Sequence, residues 1–172
     1  DGTHAATQPP SSTLTPTYPL EDAPTITPSS SHSEISSSGV VSVEIGDVIF
    51  KAEIANTPDK RAKGLSGRDA LPAKTGMLFI FQTDLEVHFW MHEMRFALDF
   101  VWISSNCIVV DITPKVPAPN PDIPVSELPT YTPTVPVKYT FEINAGETET
   151  YGIAIGDTVR IIEIPDNSNA CD

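Results

Sequence analysis

From Val40 to about Ile164 apolar and polar residues alternate in short runs, and this period of two constrains the fold more than any other feature of the chain. Val41, Val43 and Ile45 alternate with Ser42 and Glu44. Gly46-Asp47 makes a two-residue turn, and Val48, Phe50, Ala52 and Ile54 then alternate with Lys51 and Glu53. The pattern predicts a β-hairpin. Further strands are expected at Met77 to Phe81, Val87 to Met94, Leu98 to Ile103, Cys107 to Ile112, Val137 to Ile143 and Thr158 to Ile164, with Ser104-Ser105-Asn106 as a turn. One short helix has a clear start: Thr57 as N-cap, Pro58 at the first helical position and Asp59 in the first turn, ending before Gly64. About eight short strands and one helix predict an all-β barrel or sandwich.

Residues 113 to 136 contain eight of the chain's 17 prolines. Proline donates no ladder hydrogen bond, so this stretch is expected to run as a long loop over the barrel surface, not through the middle of a sheet. Ahead of the β domain, residues 1 to 39 hold nine Ser, seven Thr and six Pro with four acids and no Lys or Arg. So little apolar area cannot offset a backbone ordering cost of about 1 to 2 kcal/mol per residue. This arm reads as a disordered or extended stalk or linker. Its composition suits O-glycosylation, with Thr13, Thr15, Thr17, Thr25, Thr27, Ser29 and Ser30 as candidate acceptors. The domains are therefore expected as residues 1–39, a β domain at 40–165 and a C-terminal tail at 166–172.

The chain carries 23 acidic and 10 basic residues, a formal net charge of −13. Nucleic-acid binding loses its electrostatic driving force, and attraction to anionic lipid goes with it. No run approaches the ~18 apolar residues of a membrane-spanning helix. A soluble protein, or the mature form of an exported one, is expected, with an extracellular or cell-surface location. Cys107 and Cys171 in an exported chain suggest a disulfide that staples the tail to the barrel. A free buried thiol at Cys107 is the alternative.

Five ordered segments resemble an uncharacterised prokaryotic family, domain of unknown function 192. They are Arg61 with Gly64-Leu65, Gly76-Met77-Leu78-Phe79-Ile80-Phe81, and Phe89-Trp90-Met91 followed by Leu98-Asp99; Phe141-Glu142-Ile143-Asn144-Ala145-Gly146 and Gly156-Asp157 follow. The resemblance spans about residues 43–162. It implies a small, mostly β domain, often exported, and brings no settled activity. Where His92, Met94 and Ala97 stand here, the family commonly has a basic or amide residue, Thr and later Pro.

No residue demands catalysis. There is no G-x-S-x-G and no glycine-rich phosphate loop, so the chain is expected to need no cofactor and leans away from being an enzyme. His88 and His92 would stand about 13 Å apart in a strand at ~3.3 Å per residue, too far for one metal ion. Glu142 is expected as an exposed strand residue and Asp157 as a turn residue. Asp99 sits between Leu98 and Phe100, where a carboxylate is costly to bury alone. Arg61 is its expected partner, in a buried ion pair or backbone clamp. The functional alternative is a small polar-ligand or enzymatic site built from Arg61, Trp90, Met91, His92 and Asp99. The leading expectation is a non-enzymatic binding or assembly module on a stalk. Its partners would be other copies of itself, in a filament or layer, or other cell-surface components. In such an assembly the segment 29–43, which carries Ile35, Val40, Val41 and Val43, could add to a neighbour's open sheet edge.

Overall fold

A computed structural model describes residues 39–162 and Cys171. The expected stalk, its candidate O-glycosylation sites and most of the C-terminal tail lie outside the described residues. Among the described residues nine strands and two short α-helices follow one another in the order β1 (Val40–Ile45), β2 (Val48–Ala55), α1 (Pro58–Lys63), β3 (Thr75–Leu85), β4 (Phe89–Trp90), β5 (Leu98–Ile103), β6 (Val109–Val116), β7 (Thr130–Tyr131), β8 (Val137–Asn144), α2 (Glu147–Tyr151) and β9 (Val159–Ile162). Seven strands form one sheet in the order β6-β5-β8-β3-β2-β1-β9, and β4 pairs with β7 separately. The fold is all-β, as the alternation requires.

The β1–β2 hairpin turns at Gly46-Asp47 with Ile45 opposite Val48. Strand β3 runs parallel to β2, and α1 lies in the crossover between them. Thr57 Oγ1 accepts the Lys60 amide at 3.3 Å and Pro58 opens the helix, as the sequence predicts. The seven strands curl into a half-barrel whose edge strands meet at one isolated bridge, Ile108 to Thr158. There the Val109 amide donates to the Asp157 carbonyl at 2.9 Å, and the Val159 amide donates to the Cys107 carbonyl at 2.8 Å. Cys107 is disulfide-bonded to Cys171, whose carbonyl accepts the Ile161 amide. The staple thus ties the tail to the place where the sheet edges meet.

Strand β1 is bonded to β2 on one side and β9 on the other. Among the described residues β2 pairs with all of β1, whereas β9 pairs only with Ser42–Ile45. Several expected strands differ in extent, β3 among them, which runs Thr75–Leu85 where Met77 to Phe81 was expected. Only Phe89 and Trp90 of the Val87–Met94 run are paired, because Met91, Met94 and Val87 turn into a hydrophobic cluster and take the backbone off any ladder. Strand β6 continues through Pro114 to Val116, which proline tolerates because β6 is an edge strand. The proline-rich stretch also contributes β7 and a single 3-10 turn, Val125–Glu127.

One core cluster covers a single face of the sheet, with Val43, Phe50, Leu78, Val101, Phe141 and Ile161 among its members. A second cluster packs on the opposite face of β3 and β5. It joins Met77, Phe79, Phe100 and Trp102 to Leu65, Leu71, Val87, Met91 and Met94 from the loops. Strands buried on both faces read as near-continuous apolar runs, as Met77–Phe81 of β3 does and β5 does apart from Asp99. Strand β8 lies between them and keeps its alternation, so one of its faces brings polar residues into apolar company.

Candidate functional site

The second cluster leaves a cleft of about 380 Å³ along its border. One wall is α1 and the turn after it, with Arg61, Lys63, Gly64, Leu65 and Ser66; the other is Val87, His88, Phe89 and Trp90. Phe79 and Phe81 of β3 and Glu142 of β8 complete the lining. Phe89 packs edge-on against Phe79, with ring centroids 4.9 Å apart, and against Trp102 at 5.4 Å. Trp90 is 48% exposed and stacks on His92, their centroids 5.0 Å apart.

Arg61 does not pair with Asp99. Its guanidinium donates to the Ile80 carbonyl at 3.0 Å and stands over the Phe81 ring, 5.3 Å from the centroid. Asp99 is completely buried and held by backbone instead. Its Oδ1 accepts the Lys115 amide at 2.7 Å, and both oxygens accept the Gly146 amide at 3.0 Å. The Thr148 amide and hydroxyl donate to Oδ2 at 3.0 and 2.6 Å. Of the two forms expected for Asp99, the backbone clamp is present and the ion pair is absent. The clamp joins the L-D segment of β5 to the N-A-G turn of β8, where Gly146 takes a left-handed conformation with φ 85°.

The expected ligand set therefore separates. Arg61 and Trp90 line the cleft, whereas Met91 is buried in the second cluster and Asp99 is committed to its clamp. His92 borders a different cleft of about 570 Å³ with residues of the proline-rich loop, including Pro119 and Leu128. His88, four residues earlier, lines the first cleft.

Glu142 is the residue that sequence reasoning misplaced. It is 5% exposed, not an exposed strand residue, because it lies between Met77 of β3 and Phe100 of β5 on the face covered by the second cluster. Its carboxyl has no hydrogen-bond or ion-pair partner among the described residues, and burial alone pushes its pKa up from 4.5 to about 8. Two positions along the strand, the buried Thr140 hydroxyl also lacks a partner. Strand β3 approaches closely here: a Cβ on Gly76 would stand 2.4 Å from both the Glu142 carbonyl oxygen and the Phe141 ring. The sequence carried no signal for this burial, because it follows from the strand order that sets β8 between two largely apolar strands. Asp157 is the turn residue expected of it, accepting the Ala154 amide at 2.8 Å.

Chemically the cleft offers aromatic walls, cations at Arg61 and Lys63, and one carboxyl that burial keeps largely protonated at neutral pH. Such a group can both donate and accept a hydrogen bond, and a partner brought by a ligand would remove the cost of leaving it unsatisfied.

Comparisons with known proteins place this arrangement in context. A solved Sinorhizobium meliloti 1021 structure, described as a "putative transcription regulator", is 26% identical with a TM-score of 0.63, covering 73% of this chain and 95% of its own. A protein of unknown function from Novosphingobium aromaticivorans DSM 12444 is 27% identical with a TM-score of 0.61, covering 70% of this chain and 84% of its own. No curated protein matches this chain. The family model of DUF192, described as an uncharacterised ACR, matches residues 41–161, nearly the whole β domain, and the chain belongs to that family.

Proposed function

We propose that this protein is an exported small-molecule-binding domain whose ligand enters the cleft between α1 and the 87–90 segment and meets Glu142 at its base. The observation that carries this reading is a buried carboxyl without a partner among the described residues, lining an open cleft together with a half-exposed tryptophan. Folding alone gives no reason to keep an acid there, since an apolar residue of similar size would remove a desolvation cost. Binding sites commonly combine apolar and aromatic walls with a few polar groups, in volumes of about 300–1,000 Å³. The segments that carry the family resemblance also converge on this cleft: Arg61, Gly64 and Leu65, then Phe79 and Phe81, then Phe89 and Trp90, then Glu142. The disulfide supports export, because such bonds persist in oxidising compartments.

A fragment screen followed by amide and indole NMR tests the reading. Trp90 and Trp102 are the two tryptophans, and Trp102 is buried with its indole bonded to Thr113 at 2.9 Å. Ligands should move the Trp90 indole and the amides of residues 61–66 and 87–90 while leaving the Trp102 indole in place. Hits that map elsewhere, or no hits at millimolar concentration, would overturn it.

A further inference from the structure

We infer that the cleft takes a small organic amine, its primary ammonium seated on Glu142 and its apolar body against Phe79, Phe89 and Trp90. The inference rests on the ligand-binding reading above and adds the chemistry of the ligand. Three observations bear on it.

The first is the missing counter-charge. Arg61 and Lys63 of α1 and His88 of the opposite wall are the basic groups that line the cleft, and Glu142's two register partners, Met77 and Phe100, carry no charge. None of these groups is hydrogen-bonded or ion-paired to the carboxyl among the described residues, and burial pushes its pKa up to about 8. A ligand cation would therefore be the first counter-charge the carboxylate meets. An ammonium is also a better partner than a hydroxyl, since charge-assisted hydrogen bonds are roughly twice as strong as neutral ones.

The second is the lining. Aromatic faces attract cations within about 6 Å of the ring centroid. This cleft already shows such a contact, because the Arg61 guanidinium stands 5.3 Å from the Phe81 centroid. The Phe79, Phe89 and Trp90 rings have no protein cation of this kind among the described residues, and they line the same cleft as Glu142.

The third is placement of charge along the cleft. Lys63 of α1 is exposed and Arg61 is half-buried with its guanidinium already bonded to the Ile80 carbonyl, whereas Glu142 is buried. A ligand with its ammonium inward and a neutral or anionic outer end matches that order. The chain's net charge of −13 further enriches cations near its surface.

Isothermal titration of the full chain with phenethylamine, and with 2-phenylethanol as its neutral counterpart, tests the inference. An ammonium binds the ionised carboxyl, so below the Glu142 midpoint each complex must release a proton. Phenethylamine affinity should fall roughly fiftyfold from pH 8 to pH 6, for a group that titrates at about 8 in the free protein. Titrations in buffers of different ionisation enthalpy should report close to one proton released at pH 6. In Glu142→Gln both effects should vanish, which separates them from any titration of His88. If 2-phenylethanol binds the cleft as well as the amine does, or if amine affinity is unchanged or rises toward pH 6, the ammonium assignment is wrong and the ligand-binding reading stands. If neither probe binds but the fragment screen finds neutral ligands for the cleft, the ammonium assignment again fails alone. If nothing binds the cleft in either experiment, both fail.

Discussion

Replacing Glu142 with Gln should flatten the pH dependence of stability across the neutral range. In the folded protein burial raises this carboxyl from 4.5 to about 8, while in the unfolded chain it returns to its ordinary value. Below pH 4.5 both states hold the proton and Glu142 contributes no pH dependence. Between pH 4.5 and 8 the folded state keeps a proton that the unfolded state releases, so stability falls as pH rises, by about 1.4 kcal/mol per pH unit at most. From pH 5 to pH 7.5 the loss amounts to about 3 kcal/mol. For a domain of this size that corresponds to roughly 10 °C in Tm. Glu53 acts in the opposite sense: its hydrogen bonds to Arg68 lower its pKa, so its contribution is lost only as pH falls below the usual carboxylate range. It therefore does not disturb the window. Calorimetric melts of wild type and Glu142→Gln at pH 5, 6, 7 and 7.5 provide the assay, with the disulfide intact so that unfolding stays close to two-state. The Tm difference between the two should shift steadily in favour of the variant as pH rises. Parallel profiles would refute the reasoning, because they would mean that Glu142 titrates alike in both states.

Three other outcomes are open to measurement. Asp99→Ala should destabilise the fold by about 3 kcal/mol or more, since several buried donors lose one acceptor, whereas Arg61→Ala should cost only about 1–2 kcal/mol for the Ile80 carbonyl bond and the Phe81 contact; equal losses in denaturant melts would contradict the assignment of the Asp99 clamp. Unreduced, denatured protein should take up no thiol-alkylating label, and Cys171→Ser should lower stability by about 4 kcal/mol for a loop closed across 64 residues; two labels per chain would end that idea. Deleting residues 1–39 tests whether the arm drives self-association: the assembly proposal predicts that native mass by light scattering falls on truncation, and monomers at high concentration in both forms would dispose of it.

Local signals and neighbouring strands were not equally legible in the sequence. The β1–β2 hairpin, the α1 cap at Thr57 and the limits of β5 could be read directly, because each depends on residues adjacent in the chain. The burial of Asp99 was also legible, but its partners were not. A carboxylate between Leu98 and Phe100 needs compensation, and the Lys115, Gly146 and Thr148 amides that supply it come from distant segments brought together by the curl of the sheet. Helix α2 was missed because its N-cap is Gly146, without a side-chain capping bond, and its first-turn carboxylate Glu147 accepts the Lys74 amide from the loop before β3. Glu142 was misread for a related reason. Alternation along β8 suggests a solvent-facing side, and only the strand order β5-β8-β3 shows that this side is covered by its neighbours' cluster.

The most direct measurement follows the Glu142 side-chain carboxyl by ¹³C NMR through a pH titration of the free protein. A carboxyl that is buried, lines the cleft and has no partner among the described residues should titrate at about 8. A midpoint near 4.5 would show that the carboxylate is already satisfied within the fold, leaving a ligand nothing to complete.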